Sequence, residues 1–313
     1  MLKNLSKIST RNMPHDVWLE HRNLSIGGSD ASAIIGLNPW ASPYSIWAEK
    51  LGKLPPKEEN EAMRLGRDLE EYVARRFTEA TGKKVRRENN IIINPEYPFA
   101  HANVDRLIVG EDAGLECKTT SSLNTKKFKN GEYPDNYYVQ CVHYMMVTGC
   151  QRWYLAVLVL GQGFYHYTIE RDEEEIKALA KSEEDFWNLV LTETPPMADG
   201  LSATSNTIST LFPTSLEGDS IDLIGYEDIL QQYMALSAQI KELESLKDEM
   251  ANKVKAFLGE AGKGESDRYK VSWISTERAN FDSKKFAQDH ADLDLSEYYK
   301  KSTYRTFKVT EKK

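Results

Sequence analysis

The chain has 313 residues, a formal net charge of -8, 40% hydrophobic residues and 28% charged residues. This length and composition are ordinary for a globular protein with one large domain and a smaller one. Because no run of 18 apolar residues occurs and the N-terminal stretch lacks an apolar signal core, we expect neither a transmembrane helix nor export. The three cysteines, Cys117, Cys141 and Cys150, show no C-x-x-C spacing. They give no support to a zinc knuckle or an iron–sulfur cluster and suit a reducing cytoplasm.

The first eighty residues are predicted to be mostly helical. A Gly-Gly turn at residues 27–28 precedes a helix that begins near Ala31, and Ser29 or Asp30 is placed to cap it. Gly82 supplies the stop signal of a longer amphipathic helix. This longer helix is predicted at residues 60–81, and two further helices are predicted at residues 14–24 and 43–51.

After residue 82 the apolar pattern changes to that of short strands, punctuated by Gly, Pro and Asn. A Lys-rich loop at 120–133 then precedes a buried helix at 135–148, and a helix at 172–191 closes this part. The predicted strands span residues 91–93, 99–109, 115–119, 153–160 and 164–169, the last two joined as a hairpin.

The C-terminal third is predicted to form a separate unit. Residues 193–225 are rich in Ser, Thr, Pro and Gly and read as a linker or loose loop between a core at 1–192 and a unit at 226–313. In 226–258, apolar residues recur at alternating steps of four and three, broken only at Lys247, which predicts a coiled-coil-like or helix-hairpin seam. Edge strands are predicted at 269–273 and 304–309, around a helical stretch at 282–300.

Although the net charge of the chain is negative, the distribution of charge along it is compatible with a nucleic-acid partner. The net charge is +3 over residues 64–88, +3 over residues 115–130 and -7 over residues 170–199. The acidic excess is therefore concentrated away from the two basic stretches, and one face of the protein can be basic.

One constellation of charged residues predicts metal-dependent chemistry. Asp105 lies late in an apolar, strand-like stretch, and Glu116 and Lys118 follow after a short turn. Residues i and i+2 of a strand point to the same face, and the turn is placed to bring Asp105 beside them. Two carboxylates and an amine around one point can hold a divalent metal and activate water. The alternatives are a solvated Glu-x-Lys face and a simple salt bridge between Glu116 and Lys118.

Four motifs resemble the lambda-exonuclease branch of the PD-(D/E)xK nucleases, most closely the YqaJ-type phage recombination exonucleases. The resemblance covers about residues 14–190, and Val104 stands where the family name has Pro. It implies a restriction-endonuclease-like α/β fold, with a central mixed sheet flanked by helices and a C-terminal helical and strand appendage. The motifs are Trp18…Arg22 with Ile26–Ala31, Gly66–Glu70, Asp105…Glu116-Cys117-Lys118, and Tyr137–Tyr144.

The resemblance assigns the metal chemistry to the same constellation. Asp105 and Glu116 would bind Mg²⁺, with the backbone carbonyl of Cys117 as a third ligand, and Asp105 would bridge to a second ion. Mn²⁺ is expected to substitute, since both ions accept oxygen ligands. Lys118 would orient the attacking water and offset charge on the transition state.

Two flanking helices contribute further candidates. The family places an acid near the second metal where this chain has Glu70, although Glu70 could equally lie on a solvated helix face with Arg67 as its partner. Gln140 and Tyr144 share one helix face, which lines the site in the family; core packing is the alternative for Tyr144. Tyr137, one turn from Gln140, is a weaker candidate for contact with DNA.

Recognition of a 5′-phosphate is predicted near the N-terminus. In the family an Arg and a Ser at the places of Arg22 and Ser29 bind this phosphate, and the amides of a Gly-Gly turn complete an anion pocket. The alternative is that Ser29 only caps a helix and Arg22 is a surface residue. Asp30 would repel phosphate and is expected to cap. Asn103 is a further candidate for phosphate contact, and His101 is expected to be structural rather than a metal ligand.

The expected function is that of a Mg²⁺-dependent 5′→3′ double-strand DNA exonuclease in phage-type recombination. It would leave 3′ overhangs for a single-strand annealing protein, work in the cytoplasm of a bacterial host of phage or prophage, and assemble as a ring-shaped trimer, all by resemblance. Two alternatives stay open: a structure- or sequence-selective endonuclease, and a non-catalytic DNA-binding recombination mediator.

Overall fold

The computed structural model describes residues 5–56, 58–290, 293–300 and 303–312. The chain divides into two compact units, residues 1–212 and residues 213–313, which are described separately below. Among the described residues, no helix has the length and apolar character needed to cross a membrane.

Local capping interactions determine where the helices of the first unit begin and end. The Asn60 side chain accepts a hydrogen bond from Met63 N–H at the start of the helix Glu61–Thr81, and Gly82 ends this helix with φ 72°. Pro43 occupies the first turn of the helix Pro43–Lys50 and follows the capping Ser42. These helices are α1 (His15–Asn23), α2 (Gly28–Ile34), α3 (Pro43–Lys50), α4 (Glu61–Thr81), α5 (Asp135–Thr148), α6 (Glu173–Leu191) and α7 (Ser202–Leu211).

The main sheet has five strands in the order β2-β5-β6-β7-β8. Only β6 and β7 run parallel, with Glu116 opposite Leu155 and Lys118 opposite Val157; the other neighbours are antiparallel. The sheet is therefore mixed, as predicted. Its strands are β2 (Val85–Arg87), β5 (Arg106–Ile108), β6 (Ala113–Thr120), β7 (Arg152–Val159) and β8 (Gly163–Glu170).

A smaller antiparallel sheet interrupts the strand that the sequence predicts at 99–109. Its order is β1 (Ser6–Ser9), β3 (Asn90–Ile93) and β4 (His101–Asn103). The predicted strand is thus two strands: β4 pairs with β3, whereas β5 belongs to the main sheet. The break at Val104–Asp105 places Asp105 where the chain passes from one sheet to the other.

Helices cover both faces of the main sheet. On one face, Phe77 and Val73 of α4 pack with Leu115 and Tyr154 of the sheet. On the other face, α5 packs with a larger cluster that includes Leu155. Because side chains alternate along β6, Glu116 and Lys118 point away from Leu115 and face α5.

The structure corrects several predictions about the chain. Residues 202–211, expected within a linker, form helix α7, because Thr204 is buried and its hydroxyl hydrogen-bonds the capping Ser42 at 2.7 Å. The first unit accordingly runs past residue 192. Residues 303–312 contain no strand, and the sequence reading missed β1 and β2.

The second unit is dominated by one long helix, α8 (Glu227–Leu258), which has no buried residue. It also contains an antiparallel pair, β9 (Lys263–Glu265) and β10 (Lys270–Ser272), and a short helix, α9 (Ser283–Asp289). The predicted strand at 269–273 is thus present, slightly shortened.

Candidate functional site: a carboxylate pair and a basic pocket

The hairpin of β5 and β6 brings the two predicted acids together. Arg106 lies opposite Leu115 in this antiparallel pair, so Asp105 and Glu116 are the next residues at the open end. Asp105 Oδ2 accepts a hydrogen bond from Cys117 N–H at 2.8 Å. Glu116 is only 3% exposed, and Asp105 beside it is half-buried.

The electrostatics of this pair are unfavourable without a cation. Burial and the neighbouring Glu116 and Glu70 carboxylates raise the pKa of Asp105 well above its ordinary value. Burial likewise raises the pKa of Glu116, although Lys118 opposes this shift. A buried and a half-buried carboxylate with one ammonium leave an excess negative charge, which is costly away from water unless an ion compensates it.

The donor set fits a divalent metal ion. Glu116 Oε2 is buried and has no hydrogen-bond partner among the described residues, so one oxygen is available as a ligand. No group of three or more His, Cys, Asp and Glu side chains within metal-binding reach is found in the described part of the chain. Further ligands would therefore come from backbone carbonyls, such as that predicted at Cys117, and from water, both of which Mg²⁺ accepts.

Lys118 is held in place by a chain of hydrogen bonds. Its ammonium lies 2.6 Å from Glu116 Oε1 and donates to Gln140 Oε1 at 2.8 Å. The Gln140 amide in turn donates to the Tyr144 hydroxyl at 2.8 Å. Burial opposes the charged form of Lys118, but the Glu116 carboxylate outweighs burial and raises the pKa of Lys118, so it is a cation at neutral pH. The salt bridge considered as an alternative for Lys118 is present together with the contact to Gln140.

The two tyrosines of α5 differ in their surroundings. Tyr137 is half-buried, and its ring lies 5.3 Å from the Lys118 ammonium, a cation–π contact beside the site. Tyr144 is 5% exposed and packs against Trp153. The sequence predicts direct contact of Tyr144 with DNA. In the structure Tyr144 is instead buried and positions Gln140, which lies between it and Lys118.

Glu70 faces the site but is engaged by an unpredicted cation. The guanidinium of Arg106 hydrogen-bonds Glu70 and also reaches Glu71 at 3.0 Å. Arg106 is 3% exposed, so the pair is structural in this conformation. The expected partner Arg67 instead pairs with Glu59. In the structure Glu70 is therefore paired with Arg106 and is not placed as a ligand of a second metal, the role that the sequence predicts for it.

A basic pocket forms where α1, α2 and α3 meet. Arg22 Nη2 donates to Ser29 Oγ at 2.8 Å, which joins the two residues predicted for phosphate binding. Asp30 is buried and accepts from Gly27 N–H at 3.0 Å, so it caps α2 as expected. Lys50 lies 2.7 Å from Asp30. Although burial opposes ionisation, Lys50 and Arg22 lower the pKa of Asp30 strongly, and the cluster keeps a net positive charge.

The basic pocket and the carboxylate pair are linked through close packing of α2 on α5. A Cβ added at Gly28 would lie 2.6 Å from Tyr144 Cε1 and 3.1 Å from Gln140 Cγ. Gly28 is therefore required for this approach, which sets the helix carrying Ser29 against the helix carrying Gln140.

An open cleft lies beside the carboxylate pair. Its volume is about 250 Å³, and it is lined by Trp18, Glu70, Asn103, Asp105 and Arg87, among others. Asn103 thus shares a surface with Asp105, as its position two residues earlier predicts. Trp18 stacks under the Arg22 guanidinium at 5.1 Å, which places the basic pocket at the side of the cleft.

His101 is a structural residue in this geometry, as expected. It is 1% exposed, and its Nδ1 lies 2.8 Å from Ser25 Oγ. Burial and the nearby Lys50 lower the pKa of His101 to about 3, so the ring is neutral at physiological pH.

Sequence reasoning missed two cations of the site, Lys50 and Arg106. Arg106 offered a signal, because a charge within a buried strand needs a partner and α4 carries two acids. Lys50 offered none, since a lysine in the last turn of a helix is ordinary.

Comparisons with known proteins place this chain in a family. Residues 17–151 match the YqaJ-like viral recombinase domain. The protein YqaJ of Bacillus subtilis (strain 168) is 40% identical over 304 residues, which cover 96% of this chain and 95% of the relative. The crystal structure of an alkaline exonuclease from Laribacter hongkongensis has a TM-score of 0.50 and 20% identity, and the match covers 57% of this chain and 94% of that chain. The same enzyme in complex with dAMP matches with a TM-score of 0.50 and 21% identity.

The solved structures establish the shared fold, and the relative extends the likeness over nearly the whole chain. The fold, the four motifs and the 40% identity agree with one another. The chain therefore belongs to the family of YqaJ-like viral recombinases.

Proposed function

We propose that the protein is a Mg²⁺-dependent 5′→3′ exonuclease that acts on double-stranded DNA ends in phage-type recombination. The observation that carries the proposal is the pair of half-buried Asp105 and buried Glu116, with Lys118 held beside it by Gln140. The shared fold with an alkaline exonuclease that was crystallised with dAMP supports the same reading.

The chemistry follows from the positions of these side chains. Asp105, Glu116 and the Cys117 carbonyl would hold Mg²⁺ or Mn²⁺, and a second ion would share Asp105. Such an ion polarises the phosphate and lowers the pKa of bound water. Water forms a bond to phosphorus, the bond from phosphorus to the 3′ oxygen breaks, and a 5′-mononucleotide leaves. Lys118, a fixed cation, orients the water and offsets charge in the transition state.

The basic pocket would select the 5′ end. Arg22 is partly exposed, and its guanidinium and the Ser29 hydroxyl are already joined, so a phosphate can replace their mutual contact with bonds to both. Lys50 lies 2.7 Å from Asp30 and Arg22 lies 3.6 Å from it, so the two cations exceed the one carboxylate by a single positive charge that a phosphate can use. Asn103 and Tyr137 lie at the cleft and beside Lys118, where they would contact the strand being cut.

The biological setting extends this proposal. The 3′ overhang would be taken up by a single-strand annealing protein in the cytoplasm of a bacterium that carries a phage or prophage. A ring-shaped trimer would allow a protein of net charge -8 to present basic residues to DNA on its inner wall.

Digestion of three DNA substrates tests the proposal. Linear duplex with 5′-phosphate, linear duplex with 5′-hydroxyl and closed circular duplex are each incubated with and without Mg²⁺. The account expects rapid release of mononucleotides from the phosphorylated ends, slower release from hydroxyl ends, and no cleavage of the circle. Cleavage of the circle would favour an endonuclease, and no Mg²⁺-dependent cleavage of any substrate would favour a non-catalytic mediator.

A pair of variants tests the end pocket. Arg22→Ala should reduce the preference for phosphorylated ends, whereas Lys181→Ala, at an exposed side chain of the acidic helix α6, serves as the matched control. Equal rates on phosphate and hydroxyl ends in the unaltered protein would contradict the assignment of the pocket.

A further inference from the structure

Helix α8 carries an apolar face that stays largely exposed among the described residues, although the Tyr233 ring contacts the Phe307 ring of the same chain, with 5.5 Å between their centroids. It is 32 residues long, about 48 Å at 1.5 Å per residue, and has no buried residue. In water a helix is stabilised mainly by packing its apolar face against a partner. Eight large apolar side chains on it are instead 42–93% exposed: Ile229, Tyr233, Leu236, Ile240, Leu243, Met250, Val254 and Phe257. Together with Lys247 they form the α8 seam.

The spacing of the seam identifies the kind of partner. Its nine positions alternate strictly between steps of four and three, a repeat of 3.5 residues, over four heptads. A straight helix that packs on a globular core follows a repeat of 3.6 and shows a wider apolar stripe. A sustained repeat of 3.5 is the pattern of a coiled coil, in which the partner is another helix. The face opposite the seam is polar, with Lys241, Glu242, Asp248 and Glu249.

Lys247 distinguishes between the two ways in which α8 can pair with itself. In heptad notation Tyr233, Ile240, Lys247 and Val254 are a positions, and the other five seam residues are d positions. A parallel pair places each a residue against its own copy, so two lysines would meet in the interface, and like charges there are costly. An antiparallel pair places a against d, so Lys247 lies against Leu243 of the second copy.

The antiparallel register pairs the seam from Tyr233 to Phe257, whereas Ile229 would face position 261, beyond the end of α8. Lys247 at the centre then lies beside Glu244 of the second copy, and the two Leu246 side chains lie near each other across the twofold axis. Every other layer is apolar: Tyr233 against Phe257, Leu236 against Val254, and Ile240 against Met250. Each buried ammonium thus has a carboxylate beside it, and no lysine faces a lysine.

We propose that α8 forms an antiparallel coiled coil with α8 of a second copy of this chain. The pairing covers the exposed seam and gives the second unit a role in joining two copies, independent of any assembly formed by the first unit. Leu246, 49% exposed outside the seam itself, becomes part of the same interface.

Light scattering on the full chain measures whether two copies are joined. Leu236→Asp with Leu243→Asp places charges in the seam, and Ser245→Asp with Asn252→Asp places the same charges on the outer face as the matched control. The particle mass should halve for the seam variant and stay at the wild-type value for the control. A seam variant with the wild-type mass, or a wild type that is already a single chain, overturns the proposal.

Cysteine cross-linking tests the register without disrupting the helix. Copies with Leu243→Cys are mixed with copies with Lys247→Cys and oxidised, and the wild type, whose cysteines are 117, 141 and 150, gives the background. The mixture should yield a disulfide-linked pair of chains several-fold more abundant than Leu243→Cys alone. A predominant cross-link of Leu243→Cys to itself, or no cross-link above background, overturns the antiparallel pairing.

Discussion

Replacing Gly28 by alanine tests whether the packing of α2 on α5 connects the basic pocket to the catalytic centre. The added Cβ would lie 2.6 Å from Tyr144 Cε1 and 2.8 Å from Tyr144 Cζ, closer than carbon atoms approach each other in proteins. These atoms belong to a buried ring packed against Trp153, so α2 or the ring must move.

The expected change in the free energy of unfolding for Gly28→Ala follows from two opposed effects. Overpacking by one methyl group costs about 1–3 kcal/mol in a well-packed core. The gain from removing a helical glycine is at most about 1 kcal/mol and is smaller here, because Gly28 is the first residue of its helix. We therefore expect Gly28→Ala to lower the free energy of unfolding by about 1–2 kcal/mol.

A matched glycine provides the control for stability. Gly66 lies inside α4, and a Cβ there would meet no atom within 4 Å among the described residues. Gly66→Ala should raise the free energy of unfolding by about 0.5–1 kcal/mol. Both variants are measured by urea denaturation.

The nuclease activity of the Gly28→Ala protein tests the functional part of this prediction. A shifted Tyr144 ring displaces Gln140 and with it Lys118, and a displacement of about 1 Å can reduce the rate by about 100-fold. Binding of Mn²⁺ should persist, since Glu116 lies on β6 and Asp105 directly precedes β5, so neither belongs to α2 or α5. A Gly28→Ala protein with wild-type stability and wild-type turnover would refute the proposed link between the two helices.

Three other substitutions probe the charges of the site. Lys50→Met leaves the buried Asp30 with Arg22 as its remaining cationic partner and should cost about 3–5 kcal/mol of stability. The control Lys53→Met, at an exposed pair, should cost under about 1 kcal/mol by the same denaturation assay. Because the folded-state pKa of Asp30 is lowered, its stabilising effect is complete above its ordinary pKa of 3.8 and is lost as pH falls through the folded value. The stability difference between wild type and Asp30→Asn should therefore be largest near neutral pH and shrink in acid; a difference independent of pH would contradict the assignment. Lys118→Met should lower turnover about 100- to 1,000-fold while Mn²⁺ binding, followed by calorimetry, persists.

Much of the first unit follows from patterns that are local in sequence. The predicted helices at 43–51, 60–81 and 135–148 match α3, α4 and α5 within one residue, because their caps and stop glycines act locally. The i, i+2 relation placed Glu116 and Lys118 on one face, and the structure has them in contact.

The remaining features depend on contacts between distant residues. The break between β4 and β5 was not predicted, because which sheet each half joins is decided by β2 and β3 and not by the segment itself. Helix α7 has a polar sequence, and its place in the first unit depends on the hydrogen bond of Thr204 with Ser42. In the same way, the partner of Glu70 is Arg106, which lies 36 residues away in the sequence and cannot be identified from the residues next to Glu70.

The central claim is that the Asp105–Glu116 pair holds the metal that cleaves DNA, and one comparison tests it directly. Release of mononucleotides from a 5′-phosphorylated linear duplex is measured against Mg²⁺ concentration for the wild type and for Glu116→Gln, which keeps the shape of the side chain and removes its charge. The account predicts Mg²⁺-dependent release by the wild type and a loss of at least about 100-fold in the variant, an order set by the loss of one electrostatic contact to the reacting centre. Equal release by the two proteins would contradict it.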